Sequence, residues 1–319
     1  MLKKLFLAVT VLVLLVAGGF GGMVWRAAQG EPAAALEARY MTPADRFVEI
    51  AGARVRVREE GDPDAPVILM IHGFSYSLET WDAWAAALKD DYRLIRYDLL
   101  GHGLTGPDPQ QRYAPAERAA FVGDVMDALQ LPSAIIAGNS LGGLAAWRFA
   151  AVNPDRVDAL ILVSPGVYPY NSVTDTPAEI PAAMKGYLLT APEAGVRASA
   201  EIVFHDASKV TGKRLAVLRD MMRRTGNGAA MVASLEEFTL PDPTPMLARI
   251  TAPTLVLWGE EDVIIPVEQG RRLESDIPGA RLITYPGVGH AAQEEAPAIT
   301  VRDAAAFLSS LNNAETGAL

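Results

Sequence analysis

The sequence predicts an α/β chain whose sheet is mostly parallel and flanked by helices. Three observations carry that expectation. After about residue 67, short apolar runs of strand type alternate with helical stretches, the pattern of parallel strands joined by helical crossovers. Val67-Ile68-Leu69-Met70-Ile71 is unbroken apolar sequence, as expected for a strand buried on both faces. Ala134-Ile135-Ile136-Ala137 runs straight into Gly138-Asn139-Ser140-Leu141-Gly142 and then Gly143-Leu144-Ala145-Ala146-Trp147, so strand, sharp turn and helix follow without a linker.

The first 26 residues form a separate element. Lys3 and Lys4 precede an uncharged run from Leu5 to Trp25. As a helix that run spans about 31 Å at about 1.5 Å per residue, close to the hydrocarbon thickness of a bilayer. The lysines place the N-terminus in the cytoplasm and the rest of the chain on the periplasmic side of an inner membrane. The expectation is a single-pass transmembrane helix that binds membrane through residues 5–25. The alternative is a signal peptide, cleaved near Ala27-Ala28 or Ala33-Ala34-Ala35, with secretion of the remainder. Gly18-Gly19-Phe20-Gly21-Gly22 weakens the run as a helix and favours that alternative.

Residues 27–40 read as an Ala-rich linker. Arg46 to Glu59 alternates apolar and polar residues, which predicts an antiparallel hairpin with its turn at Ala51-Gly52-Ala53 and one exposed face. Ala116 to Leu129 is an amphipathic helix, with Phe121, Val125 and Leu129 on one side and Asp124 and Asp127 in solvent. Ala159-Leu160-Ile161-Leu162-Val163 is a further strand, and the next sheet signal comes only at Thr254. Residues 166–240, with Tyr168, Tyr170, Met184, Tyr187, Leu188 and Leu189 among helix formers, read as a helical cap over the site. His205 is expected on its surface. Core is therefore expected over 41–165 and again over 241–312, with a tail at 313–319.

Composition removes whole classes of function. A net charge of −10 opposes nucleic-acid binding and charge-driven attraction to anionic lipid. There is no cysteine, hence no disulfide, no thiol chemistry and no lipobox. The four histidines, His72, His102, His205 and His290, lie far apart without metal-ligand spacing, so neither metal nor cofactor is expected. Nothing in the sequence fixes the oligomeric state.

Gly138-Asn139-Ser140-Leu141-Gly142 carries the chemistry. A serine on a sharp strand-to-helix turn sits in a strained backbone, and the flanking glycines relieve the crowding. Its hydroxyl needs a base to become a nucleophile. His290, on the Gly-rich loop after Arg281-Leu282-Ile283-Thr284-Tyr285, is the candidate. An imidazole that takes a proton needs a carboxylate partner. Glu260, Glu261 and Asp262 all follow the strand Thr254-Leu255-Val256-Leu257-Trp258. A developing oxyanion needs two N–H donors, and Leu141 directly after the serine and Phe74 after Gly73 are placed to supply them. His72 is expected to brace its loop.

These motifs together resemble the α/β-hydrolase superfamily, in particular its esterase-like members with a helical cap. The resemblance rests on His72-Gly73-Phe74, Asp98-Leu99-Leu100-Gly101-His102-Gly103-Leu104-Thr105, Gly138 to Gly143, Trp258-Gly259-x-x-Asp262 and Gly289-His290, in that order over roughly residues 41–312. It implies an eight-stranded, mostly parallel sheet with a helical cap insertion. It also implies Ser140, Asp262 and His290 as nucleophile, acid and base, with oxyanion donors at Phe74 and Leu141. The acid after Trp258-Gly259 falls on Asp262 in this pattern. For Asp98 and His102, on the loop after the strand Arg93-Leu94-Ile95-Arg96-Tyr97, the resemblance implies structural roles, a loop-bracing carboxylate and part of a Gly-x-Gly turn. The order Ser, Asp, His is the one this fold uses.

The implied activity is hydrolysis of a small-molecule carboxylic ester or lactone, and the aromatics and Met within residues 166–240 point to an apolar substrate. Serine at the elbow excludes the aspartate nucleophile of the fold's haloalkane dehalogenases and epoxide hydrolases. A carbon–carbon hydrolase of the meta-cleavage type is the alternative. His72-Gly73-Phe74-Ser75-Tyr76 and Ala291-Ala292-Gln293 depart from its usual pattern, while Asn139 and Gly142-Gly143 resemble its elbow. A non-catalytic ligand-binding homologue and acyl transfer or perhydrolysis are further alternatives.

Overall fold

A computed structural model describes residues 30–316. Eight strands form one sheet in the order β1-β2-β4-β3-β5-β6-β7-β8. β1 (Asp45–Ile50) and β2 (Ala53–Glu60) make a hairpin closed by Ala51 and Gly52, both with positive φ. That two-residue turn matches the right-handed twist of its strands. β2 lies antiparallel to β4 (Arg93–Tyr97). β3 (Val67–Ile71), β4, β5 (Ala134–Asn139), β6 (Val157–Val163), β7 (Thr254–Gly259) and β8 (Arg281–Tyr285) run parallel.

Alternate residues of β3 feed two cores, since successive side chains leave opposite faces of a strand. Leu69 and Ile71 join Phe121, Val125, Trp147 and Trp258 on one side. Ile68 and Met70 join Trp81, Trp84, Leu257 and Phe307 on the other. The helices that close these faces are α2 (Asp82–Leu88), α3 (Pro115–Ala128), α4 (Leu141–Val152), α10 (Glu268–Asp276), α11 (Ala292–Glu295) and α12 (Pro297–Thr316).

Between β6 and β7 the chain inserts α5 (Ala182–Thr190), α6 (Glu193–Val203), α7 (Gly212–Arg223), α8 (Asn227–Glu236) and the short α9 (Thr244–Leu247). The insertion has its own apolar cluster of Leu188, Val196, Phe204, Leu218, Met222 and Met231. Phe74 and Tyr76, from the loop after β3, pack against it.

Three sequence expectations need correction. Residues 27–40 are not simply a linker, because Ala33–Tyr40 is a helix, α1, and it is docked. The Ala-rich stretch is a good helix former, and Leu36 is fully buried against Leu104 and Met221. Glu31 donates its N–H to the Arg223 carbonyl and accepts from the Thr225 N–H at 2.9 Å. Tyr40 donates its hydroxyl to Asp220 at 2.7 Å, and Arg39 pairs with the same carboxylate. The stretch just before the core is thus fastened to the insertion at α7.

Of the three arginines on β2, only Arg54 is exposed. Arg56 and Arg58 are buried, and Asp45 accepts from both at 2.8 Å while Arg56 also reaches Glu79 at 2.6 Å. Alternation of Val with Arg signals solvent on one face, but these charges are matched by carboxylates folded over them. The tail expected over 313–319 begins later, since α12 runs to Thr316 without a Gly or Pro to stop it; 317–319 lie outside the described residues.

Among the described residues no helix is long and apolar enough to cross a membrane. The anchor or signal expected over residues 1–26 lies outside them.

Candidate active site

Ser140 joins β5 to α4 with φ 52° and ψ −112°, a conformation that side chains other than glycine rarely adopt. Its neighbours hold it there. Its N–H donates to the Val163 carbonyl at 3.0 Å, and its own carbonyl accepts from Leu144 and Gly166 at 2.9 and 3.1 Å. The turn presses onto β3: a Cβ at Gly142 would lie 2.3 Å from the Ile71 carbonyl oxygen. Strain stored and supported in this way is typical of functional turns.

Asp262 and His290 meet at the ends of β7 and β8. His290 Nδ1 lies 2.7 Å from Asp262 Oδ2, and both side chains are buried. Asp262 Oδ1 accepts from the backbone N–H groups of Ile264 and Ile265 at 2.8 and 2.9 Å. Those bonds fix the orientation of the carboxylate, whose other oxygen makes Nδ1 the nitrogen that carries the hydrogen. That leaves Nε2 to accept a proton. Glu260 accepts instead from the Thr284 hydroxyl at 2.7 Å, and Glu261 from the N–H groups of Gly287 and Val288 at 2.6 and 3.1 Å. Of the three adjacent acids, Asp262 is the one that touches the imidazole.

Ser140 and His290 open onto one cavity of about 420 Å³. Phe74 and Leu141 line the same cavity, and their backbone N–H groups donate to nothing else among the described residues. As the first residue of α4, Leu141 has no carbonyl one turn back within the helix to bond. The insertion supplies the roof through Met184, Tyr187, Leu188, Ile202 and Leu235. Tyr170 also lines it; burial first, and then the Asp262 charge, pushes its phenol up to about 12, so it is neutral. Of the other residues expected in this region, Tyr168 is buried and donates to Asp276 at 2.8 Å, Leu189 faces outward, and His205 is exposed.

The sequence model described as "alpha/beta hydrolase fold" matches residues 66–297. The chain belongs to the α/β-hydrolase family. It is 30% identical over 277 residues to a dihydrolipoyllysine-residue acetyltransferase component of the acetoin cleaving system from Cupriavidus necator, covering 81% of this chain and 70% of that protein. It is 29% identical over 266 residues to a 2-hydroxy-6-oxononadienedioate/2-hydroxy-6-oxononatrienedioate hydrolase from Cupriavidus pinatubonensis, covering 81% and 90%. Among solved structures it resembles the enol-lactonase from Burkholderia xenovorans, with a TM-score of 0.70, 25% identity, and coverage of 83% of this chain and 100% of that one.

Two other histidines of this α/β-hydrolase, His72 and His102, are internal braces. His72 is fully buried; burial lowers its pKa, so it is neutral, with Nδ1–H donating to the Gly73 carbonyl at 2.7 Å and Nε2 accepting from the Leu99 N–H at 2.9 Å. Asp98 accepts from the Leu78 and Leu104 N–H groups at 2.8 and 2.7 Å. His102 is buried with Nδ1 3.1 Å from the Leu100 carbonyl. Among the described residues no three His, Asp or Glu side chains assemble as a metal site.

Two positioning residues were not legible beforehand. Glu295 accepts from the N–H of Gly289 at 2.7 Å and from those of His205 and Asp206 at 3.1 and 2.8 Å, tying the His290 loop to the insertion. Glu261 grips the other end of that loop. The available signal was a Gly-rich loop whose buried N–H groups need acceptors, but spacing does not say which acid supplies them.

Proposed function

We propose that this protein is a serine hydrolase that cleaves carboxylic esters or lactones through an acyl-enzyme on Ser140. The observation that carries the reading is the Asp262–His290 pair, whose imidazole opens with the strained Ser140 onto one mostly apolar cavity. In this reading His290 Nε2 takes the hydroxyl proton as Ser140 Oγ attacks the carbonyl carbon. The N–H groups of Phe74 and Leu141 stabilise the oxyanion, a contribution of about 3–4 kcal/mol per donor in related chemistry. Collapse expels the alkoxide, which His290 protonates. His290 then deprotonates water, which attacks the acyl carbon, and the acid leaves with Ser140 restored.

The insertion acts as a cap that excludes bulk water and shapes the acyl pocket. Asp262, fixed by the Ile264 and Ile265 N–H groups, stabilises the imidazolium without taking its proton. The lactonase likeness supports a cyclic ester as substrate class. A second reading, carbon–carbon hydrolysis of a vinylogous diketone, is favoured by the 2-hydroxy-6-oxononadienedioate hydrolase relative. Location at the inner membrane with the catalytic domain outside the cytoplasm completes the proposal. Its support is the run from Leu5 to Trp25, and immunoblotting of membrane fractions for the full-length chain tests it.

A chain-length series of p-nitrophenyl esters, a panel of lactones and a ring-cleavage dienoate, each assayed with the native protein and with Ser140→Ala, tests the reaction. Ester or lactone turnover abolished by Ser140→Ala is expected. Turnover of the dienoate alone would replace ester cleavage by the second reading.

A further inference from the structure

Arg118 is a buried cation without an ion-pair partner. It sits on α3, 2% exposed. Its three hydrogen bonds go to neutral oxygens: Nε to the Tyr113 carbonyl at 3.0 Å, Nη1 to the Leu100 carbonyl at 3.2 Å and Nη2 to the Ser234 hydroxyl at 2.9 Å. Among the described residues no carboxylate bonds it; Glu117 and Glu237, whose charges reach it, are exposed. Burial lowers its pKa to about 10, which leaves it charged at neutral pH. An unpaired charge in such a place is costly, and buried arginines are ordinarily matched by carboxylates. Three other buried arginines have such partners: Arg56 has Asp45 and Glu79, Arg58 has Asp45, and Arg96 has Glu60 and Asp82. Among the described residues Arg148, on α4, is also buried without a carboxylate and lies over the Trp147 ring.

Ser234 is the link between that charge and the cavity. It lies on α8, is 1% exposed to solvent, and lines the cavity beside Leu235 and Phe238. Because Arg118 donates to its oxygen, the hydroxyl hydrogen has to point elsewhere, and no acceptor for it exists among the described residues. By contrast, the Tyr187 and Ser199 hydroxyls in the same cavity lie 2.6 Å apart and bond each other, and Ser199 also bonds the Val196 carbonyl. Ser234 is therefore a donor whose dipole is set by a cation behind it, in surroundings otherwise apolar. A hydrogen bond of that kind is stronger than a neutral one.

Resting on the hydrolase reading above, we propose that Ser234, backed by Arg118, is a subsite for a carbonyl or carboxylate oxygen that the substrate carries away from its scissile bond. The substrate class is then an oxo-acyl or dicarboxylic monoester rather than a plain alkyl ester. The plain chain would leave the Ser234 hydrogen unbonded, and a buried donor left unpaired selects against such a ligand.

The test compares methyl hexanoate with methyl esters that carry an oxo group at successive positions of the acyl chain, and with monomethyl adipate, on the full chain by pH-stat. The readout is the ratio of kcat/KM for the oxygen-bearing ester over the plain one. At one oxo position, or for the terminal carboxylate, the native protein is expected to show a ratio of about 10, the scale of one polarised hydrogen bond. In Ser234→Ala the ratio should fall towards 1, and in Ser234→Thr, which keeps a hydroxyl, it should be largely restored. The oxo series and the adipate separate a carbonyl ligand from a carboxylate. A ratio near 1 in the native protein for every ester, or an unchanged ratio in Ser234→Ala, would overturn the subsite. Calorimetric binding of the same esters to Ser140→Ala protein reads the preference without turnover. A binding ratio that survives while no ester is hydrolysed would overturn the reaction and keep the subsite.

Discussion

Asp262 holds His290 with one carboxylate oxygen, at 2.7 Å, and is itself held through the other by the Ile264 and Ile265 N–H groups. The carboxylate is thereby fixed before any substrate arrives, and the imidazole has one nitrogen committed and one free. Asp262→Asn keeps the shape but offers an amide that favours the wrong imidazole tautomer. Turnover should fall about 10³–10⁴-fold, by the scale of the same change in the serine-protease triad. Steady-state kinetics check this, and a loss of less than tenfold would remove Asp262 from the proposed role.

Gly142→Ala should damage the fold rather than the chemistry alone. The added Cβ would meet the Ile71 and His72 carbonyl oxygens at 2.3 and 2.5 Å, and both are backbone atoms that have little room to move. A loss of about 2–4 kcal/mol is expected, as for other overpacked sites with strained backbone. Urea unfolding of the variant measures it.

These two predictions also mark how far the sequence could be read. The elbow was legible because strand, glycines and serine are adjacent in the chain, and their meaning is local. Asp262 was separable from Glu260 and Glu261 only through a resemblance, since three neighbouring acids on a loop face different partners and spacing does not say where each points. The buried arginines 56 and 58 were misread, because a Val-Arg alternation looks the same whether water or Asp45 and Glu79 lie beyond it. The docking of α1 was missed for a related reason: an Ala-rich octad with a single Leu carries little amphipathic signal, and its partners Leu104 and Met221 are remote in sequence. Arg118 gave no sign of itself; a lone arginine in an amphipathic helix reads as solvated until its burial is known.

Leu36→Ala tests whether α1 is part of the folded unit. Leu36 is fully buried between the loop carrying Leu104 and helix α7. Removing its side chain should cost about 2–4 kcal/mol, visible as a lower melting temperature. A change below about 0.5 kcal/mol, the size of an exposed substitution, would mean that α1 is not docked in solution.

Stability should carry an acid-labile part that belongs to Asp45. Burial alone would raise its carboxyl pKa, but bonds from Arg58, the Arg56 charge and Thr42 outweigh burial and hold it at about 2. Its folded value therefore lies below the unfolded one of about 3.9. The ion pairs add stability that is present above about pH 4 and is lost as pH falls towards 2. In denaturant titrations the gap between the native protein and Asp45→Asn should be widest at neutral pH, change by about 1 kcal/mol, and narrow on acidification. A gap that stays constant from pH 7 to pH 2 would contradict this.

The central claim is that Ser140 is a nucleophile activated by His290. Treating the folded protein with a fluorophosphonate and mapping the adduct by mass spectrometry tests it most directly, with Ser140→Ala and His290→Ala as companions. A single adduct on Ser140, absent in Ser140→Ala and strongly slowed in His290→Ala, is the predicted result. No adduct on folded native protein, or labelling indifferent to His290, would contradict the claim and leave a cavity that binds ligands without acting on them.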